Sequence, residues 1–366
     1  MMDLDDALVR AEAQAPAPAP TAMSAPLDQI PGSALPTHPA PPGPAAEELI
    51  VAEIRPLGDG DSAIEIPIES TASLRASILE FQRENGRTYH SLNAGKYSLP
   101  NDELESDRLD ILHALNLLTF DNRLALCPKN DGARRVLDMG TGTGIWAVDY
   151  ADAHPEAEVI GVDLSPIQPI LVPPNLRFEI DDLENDWTWS QNFDFIFCRS
   201  LVGSFTDWGS IIQKAYDHLE PGGWLEIQDG YFPIGSDDGT ILADSSLLRC
   251  CELCVEAGRN LGRDMNATHQ YSTMMRAAGF VNCVERRFKW PVNTWPKDKR
   301  YKELGMFALA ALDSGIEGML MGMLTRGLGW QMEQVLALAA AVRREMRDPR
   351  IHAYWPGQVT YGQKPF

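Results

Sequence analysis

Long apolar runs are missing from this chain. No stretch approaches the roughly 18 residues needed to cross a bilayer, so no membrane partner is expected. Cysteine is sparse, six in 366 residues, and without a secretory context these are read as reduced thiols. Met1 to Arg10 is acidic and has no apolar signal region, so neither secretion nor organelle import is expected, and a cytoplasmic location is. Positive charge is in short supply: 31 Lys and Arg stand against 52 Asp and Glu, for a net charge of -21. That balance repels phosphate backbones and argues against direct nucleic-acid binding without a local basic patch. The pairs Arg134-Arg135, Arg286-Arg287 and Arg343-Arg344 are too small for one and read as solvated surface. Metal-ligand spacing is lacking as well. Cys250, Cys251 and Cys254 fall together, but the two that stand three apart, Cys251 and Cys254, would need two more ligands for a tetrahedral site, and His269 and Cys283 stand at no recognised spacing, so no metal is expected and buried free thiols are the reading.

What is present is enough for one large or two modest domains, with 44% hydrophobic residues. Ala13 to Pro44 is dominated by Ala and Pro and cannot bury enough surface to offset its ordering entropy, so residues 1–50 are expected to form a disordered tail. Ser73 to Asn85 reads as a helix, with Leu74, Ile78, Leu79 and Phe81 on one side. Asn101 or Asp102 can cap a further helix to about Leu118, along which Leu104, Leu109, Leu112, Leu115 and Leu118 make an apolar stripe.

The centre of the chain is Val136-Leu137-Asp138-Met139-Gly140-Thr141-Gly142-Thr143-Gly144, followed by a helix from Ile145 to Ala153. Strand, glycine turn and helix leave bare N–H groups and a positive helix end where an anionic ligand can approach. A second acid, Asp163, ends the strand Val159 to Asp163, the position of a ribose-binding carboxylate in a doubly wound sheet. A dinucleotide fingerprint would need its third glycine at position 145, which is Ile145; here it comes one residue earlier, at Gly144. Asp138 together with Gly140, Gly142 and Gly144 resembles motif I of the class I S-adenosylmethionine (SAM) methyltransferases. A second resemblance lies upstream. Tyr97-Ser98-Leu99-Pro100-Asn101-Asp102-Glu103, followed by Asp107-Arg108-Leu109, is similar to the lead-in of the LaeA-like fungal methyltransferases, and the likeness covers roughly Arg87 to Phe366.

The resemblance implies a Rossmann-like α/β fold: a seven-stranded, mostly parallel sheet in the order 3-2-1-4-5-7-6, helices on both faces and helical lid insertions. Asn175 to Ile180 is expected as the third strand and Phe193 to Ser200 as the fourth; Glu220-Pro221-Gly222-Gly223 should turn a helix into the fifth. The expected division is a helical lid over 70–125, a SAM-binding core over 126–290, and a helical insertion plus final strand over 291–366. Cofactor contacts are expected from Tyr97, Asp138, Gly140, Gly142, Gly144, Asp163, Leu164, Asp182, Leu183 and Arg199. Asp181 is nearly as good a match as Asp182 for the adenine amino group, and Arg199 suits the SAM carboxylate or the substrate. No residue announces itself as a general base; His90, Asp229 and His269 are the candidates. The Met-rich segment holding Met306, Met319, Met321 and Met323 reads as core or as the wall of an apolar pocket. The implied activity is methyl transfer to a small, apolar secondary-metabolite acceptor. The alternatives are a nuclear regulator of secondary-metabolite genes with a protein partner, and a non-catalytic scaffold.

Overall fold

The computed structural model describes residues 80–366, so the expected N-terminal tail lies outside the described residues. The helix expected to end at Asn85 is not formed at its C-terminal end. Gln82–Glu84 (β1) and Arg87–Tyr89 (β2) pair as an antiparallel hairpin instead. Asn85 and Gly86 both take positive φ, +49° and +78°, the backbone that an Asn-Gly hairpin turn requires. Turn chemistry overrode helical spacing there.

Glu103–Thr119 (α1) starts where expected: the Asp102 carboxylate accepts from the Glu105 N–H at 3.2 Å. Arg87 donates to the same carboxylate and so ties the hairpin to the helix start. Of the expected leucine stripe, Leu115 is buried and Leu112 and Leu118 pack beside it, but polar residues are buried on α1 as well. Leu104 is 60% exposed, whereas Glu105, Arg108, His113, Asn116 and Thr119 are buried with Leu115. A helix that buries its polar face is covering something polar.

Arg135–Met139 (β3), Ile145–Ala153 (α2), Glu158–Asp163 (β4), Leu176–Ile180 (β5) and Phe193–Arg199 (β6) follow, then Trp208–Asp217 (α3) and Leu219–Gly230 (β7). Ser246–Asn260 (α4), Tyr271–Ala278 (α5), Val281–Pro291 (β8), Lys299–Leu328 (α6), Met332–Met346 (α7) and Tyr354–Gln363 (β9) complete the order. The seven-stranded sheet runs β5-β4-β3-β6-β7-β9-β8, with β9 antiparallel to both neighbours. This is the expected 3-2-1-4-5-7-6. The Pro-Gly-Gly glycines lie inside the start of β7 rather than before it, with Gly222 at φ +83°.

Alternation along buried parallel strands gives the sheet two apolar faces. Leu137, Ile160 and Ile196 pack with α3 and α5, while Val136, Val159 and Phe195 pack with Trp146 and Tyr150 of α2. A separate cluster joins α4, α6 and α7 and takes in Cys250, Cys251 and Cys254, all free thiols.

By length and composition α6 could cross a bilayer, but half of its most apolar window is buried, against α1, α4 and α7. Its glycines explain the fit. A Cβ at Gly305 would strike the Asn293 carbonyl oxygen, and one at Gly322 the Ser98 carbonyl oxygen. Backbone atoms cannot swing aside as a side chain can. Gly305→Ala is therefore expected to lower stability by about 1–3 kcal/mol in a urea titration; an unchanged midpoint would mean that this contact relaxes freely.

Candidate functional site

The parallel strands β3 and β6 diverge in their connections, and the crevice at their C-terminal ends is where open α/β sheets bind ligands. The glycine turn sits there. Gly140, Gly142 and Gly144 have φ of +65°, +57° and +81°, a region that side chains rarely enter. A Cβ at Gly140 would meet Leu201 and one at Gly144 would meet Phe178, so the turn is packed close on both sides. Asp163 at the end of β4 holds it: the Gly142 N–H donates to one carboxylate oxygen at 2.8 Å and the Ser165 N–H to the other at 2.9 Å. Thr141 donates its hydroxyl to Asp138 at 2.5 Å.

A cleft of about 110 Å³ opens over this turn. Tyr97, Gly140, Gly142, Asp163, Leu164, Asp182, Leu183 and Arg199 all line it. Asp138 lines a smaller recess beside it, together with Gly140, Gly142 and Arg199. Gly144 lines neither and serves as the left-handed N-cap of α2. Burial raises the Asp138 carboxyl to about 7, against the opposing pull of Thr141 and Arg199. Burial likewise raises Asp163 to about 6, moderated by the N–H groups of Ser165, Gly142 and Leu164.

Asp182 is largely engaged already. One oxygen accepts from Asn93 at 2.6 Å and from Lys96, and the other accepts from the Glu184 N–H at 3.0 Å. Lys96 also pairs with Glu184 at 2.7 Å, so these acids clamp the loop before α1 over the cleft. Asp181 lines the cleft beside them and is exposed.

Arg199 has partners that no sequence pattern announced. It donates from Nη2 to His113 Nδ1 at 2.9 Å. A guanidinium has no acceptor, so this bond fixes the imidazole proton at Nε2, which donates to Asp149 at 2.8 Å. The three residues come from β6, α1 and α2. Burial lowers Arg199 to about 10, with Asp138 and Asp149 pulling the other way.

Next to the cleft lies a second cavity of about 220 Å³, and Tyr97, Leu99 and Ser200 line both. Its wall is mostly apolar, with Phe232, Met265, Ile316, Met319, Leu320 and Met323 among its residues. The methionines of α6 thus divide: Met319 and Met323 face this cavity, Met321 is buried, and Met306 is 56% exposed.

Of the three general-base candidates, only Asp229 lines this cavity. Its oxygens accept from the Tyr271 hydroxyl at 2.8 Å and the Val202 N–H at 3.1 Å, and burial raises it to about 7. His90 spends both ring nitrogens on backbone: Nδ1 donates to the Leu92 carbonyl at 2.6 Å, and Nε2 accepts from the Tyr97 N–H at 3.0 Å. His269 is exposed and sits edge-on to Tyr231, lining neither space.

A family profile described as a methyltransferase domain matches residues 111–284. The chain is 41% identical to methyltransferase pytC of Aspergillus terreus over 298 residues, covering 81% of this chain and 92% of that one. It is 35% identical to the probable methyltransferase tdiE of Emericella nidulans, covering 72% and 83%. It is 32% identical to a third relative, the protein-methionine methyltransferase laeA of Emericella nidulans, covering 78% and 77%. With this sheet order, this glycine turn and these relatives, the chain belongs to the LaeA-like family of class I SAM-dependent methyltransferases.

Proposed function

We propose that the cleft binds SAM, that the adjoining cavity binds a small and largely apolar acceptor, and that the chain methylates a fungal secondary metabolite in the cytoplasm. The observation that carries this reading is that the two spaces lie side by side and share the walls made by Tyr97, Leu99 and Ser200. A nonpolar chamber with a few polar groups at one end suits a small organic molecule better than a peptide or a duplex.

The cleft fits the cofactor in its polar inventory. Asn101 Oδ1 and Ser204 Oγ are buried there without a partner among the described residues, and a ligand rich in hydroxyl and amino groups would satisfy them. Asp163 keeps lone pairs for ribose hydroxyls, and Asp182 keeps one free site for the adenine amino group, with Asp181 as the exposed alternative. Arg199 would meet the carboxylate. When bound, SAM supplies an electrophilic methyl group. The protein's share is alignment of the acceptor, which can contribute about 7–11 kcal/mol in ideal cases, and removal of the acceptor's proton by Asp229.

Radiolabelled SAM offered with a metabolite extract in one arm and a nuclear protein extract in the other tests the reading. Label in a small organic product supports it. Label in protein alone would overturn it in favour of the regulatory role, to which the protein-methionine methyltransferase laeA lends weight by name.

The Asp149–His113–Arg199 relay gives a sharper check of the cleft. His113→Ala should leave Arg199 without its orienting acceptor and weaken S-adenosylhomocysteine binding about fivefold. Methylthioadenosine, which lacks the amino-acid arm, should bind the variant as it binds the wild type. Equal losses for both ligands in calorimetry would show that His113 merely supports the fold.

A further inference from the structure

Among the described residues, Arg108 is the one cation on the wall of the apolar cavity, and Asp229 is the one carboxylate. Arg108 is 5% exposed, and its guanidinium pairs with Glu105 in a two-pronged geometry, Nε to Oε2 at 2.8 Å and Nη2 to Oε1 at 2.6 Å. Glu105 thereby takes two of the five N–H donors that a guanidinium carries, and among the described residues nothing else accepts from it. A buried donor with no acceptor is costly, and a buried guanidinium on an otherwise greasy wall more so.

The stem is also fixed. A Cβ at Gly315 of α6 would collide with Arg108 Cδ, so a glycine at that point gives the side chain its room. Glu105 lines the cofactor cleft while Arg108 lines the cavity, so the ion pair stands at the junction of the two. Surface solvation does not account for a charge placed there.

We infer that the acceptor is an apolar molecule bearing an acidic oxygen, such as an enol, phenol or carboxyl group, and that Arg108 receives this oxygen as its anion at the cofactor end of the cavity. This rests on reading the cavity as the acceptor site. Arginine suits the task because its planar fork meets oxyanions with several donors at once. The apolar body of the molecule would then lie against Met319, Leu320 and Met323.

Two fluorescent dyes provide the test. Anilinonaphthalene sulfonate is an apolar anion, and phenylnaphthylamine is the same frame without the sulfonate. Both are titrated into wild type, Arg108→Met, and Glu105→Gln with Arg108→Met; the double variant leaves no buried carboxylate uncompensated. Met319→Trp, which narrows the cavity, serves as the site control and should weaken both dyes. The ratio of neutral-dye Kd to anionic-dye Kd is expected to fall about tenfold in both Arg108 variants, the scale of one charge-assisted hydrogen bond. A ratio unchanged in the double variant would overturn the assignment of Arg108 while leaving the cavity reading intact. If Met319→Trp left both affinities untouched, the cavity reading itself would fall, and this inference with it.

Discussion

Asp229→Asn is expected to lower kcat by about 10²–10⁴-fold, the usual contribution of a positioned general base. Of the three candidate bases only Asp229 stands on the wall of the apolar cavity, held there by Tyr271 and the Val202 N–H. Burial raises it to about 7, which places its titration in the working range of the enzyme. A base acts in its deprotonated form, so the wild-type rate should rise with pH through about 7 and level off above. The asparagine variant should lose that rise, because an amide cannot take the proton. S-adenosylhomocysteine affinity should be spared, since Asp229 does not line the cleft over the glycine turn. A variant with the wild-type rate and pH profile would remove Asp229 from the chemistry. The acceptor would then have to arrive already ionised, with Arg108 as its sole charged partner on the wall.

Asp163→Ala should weaken S-adenosylhomocysteine binding by about 1.5–3 kcal/mol, roughly ten- to 150-fold in Kd. Two effects combine. The carboxylate offers lone pairs towards the cleft, and it also anchors the glycine turn through the N–H groups of Gly142 and Ser165. Its loss would free a turn whose shape depends on three residues at positive φ. Calorimetry beside a thermal melt separates the two effects: weak binding with an unchanged melt assigns the loss to ligand contacts. An unaffected Kd would remove Asp163 from the cofactor site.

The elements around the glycine turn were legible because their signals are local. A carboxylate near a strand end, glycines at alternate positions and a helix behind them fall within Asp138 to Ala153. The fourth strand, Phe193–Arg199, is legible nearly to the residue for the same reason. The hairpin at Asn85-Gly86 was equally local and went unread, since the leucines and isoleucine before it suggested a helix.

The sequence alone determined where the glycine turn lies, that an acid stands at or next to each of the first two strand ends, and that Pro-Gly-Gly marks the fifth strand. Periodicity and turn chemistry act over a few residues and survive without the fold. Tertiary structure alone decided what those pieces face. Arg199, His113 and Asp149 lie up to 86 positions apart and meet only because α1 lies across the end of the sheet. The same crossing makes α1 bury Glu105, Arg108 and His113 beside Leu115, because Glu105 borders the cleft, His113 meets Arg199, and Arg108 pairs with Glu105 at the edge of the apolar cavity. The apolar cavity, too, exists only where α1, α4, α6 and α7 converge. Side chains drawn together by long-range packing have no spacing in the chain to announce them, so their chemistry becomes readable only in three dimensions.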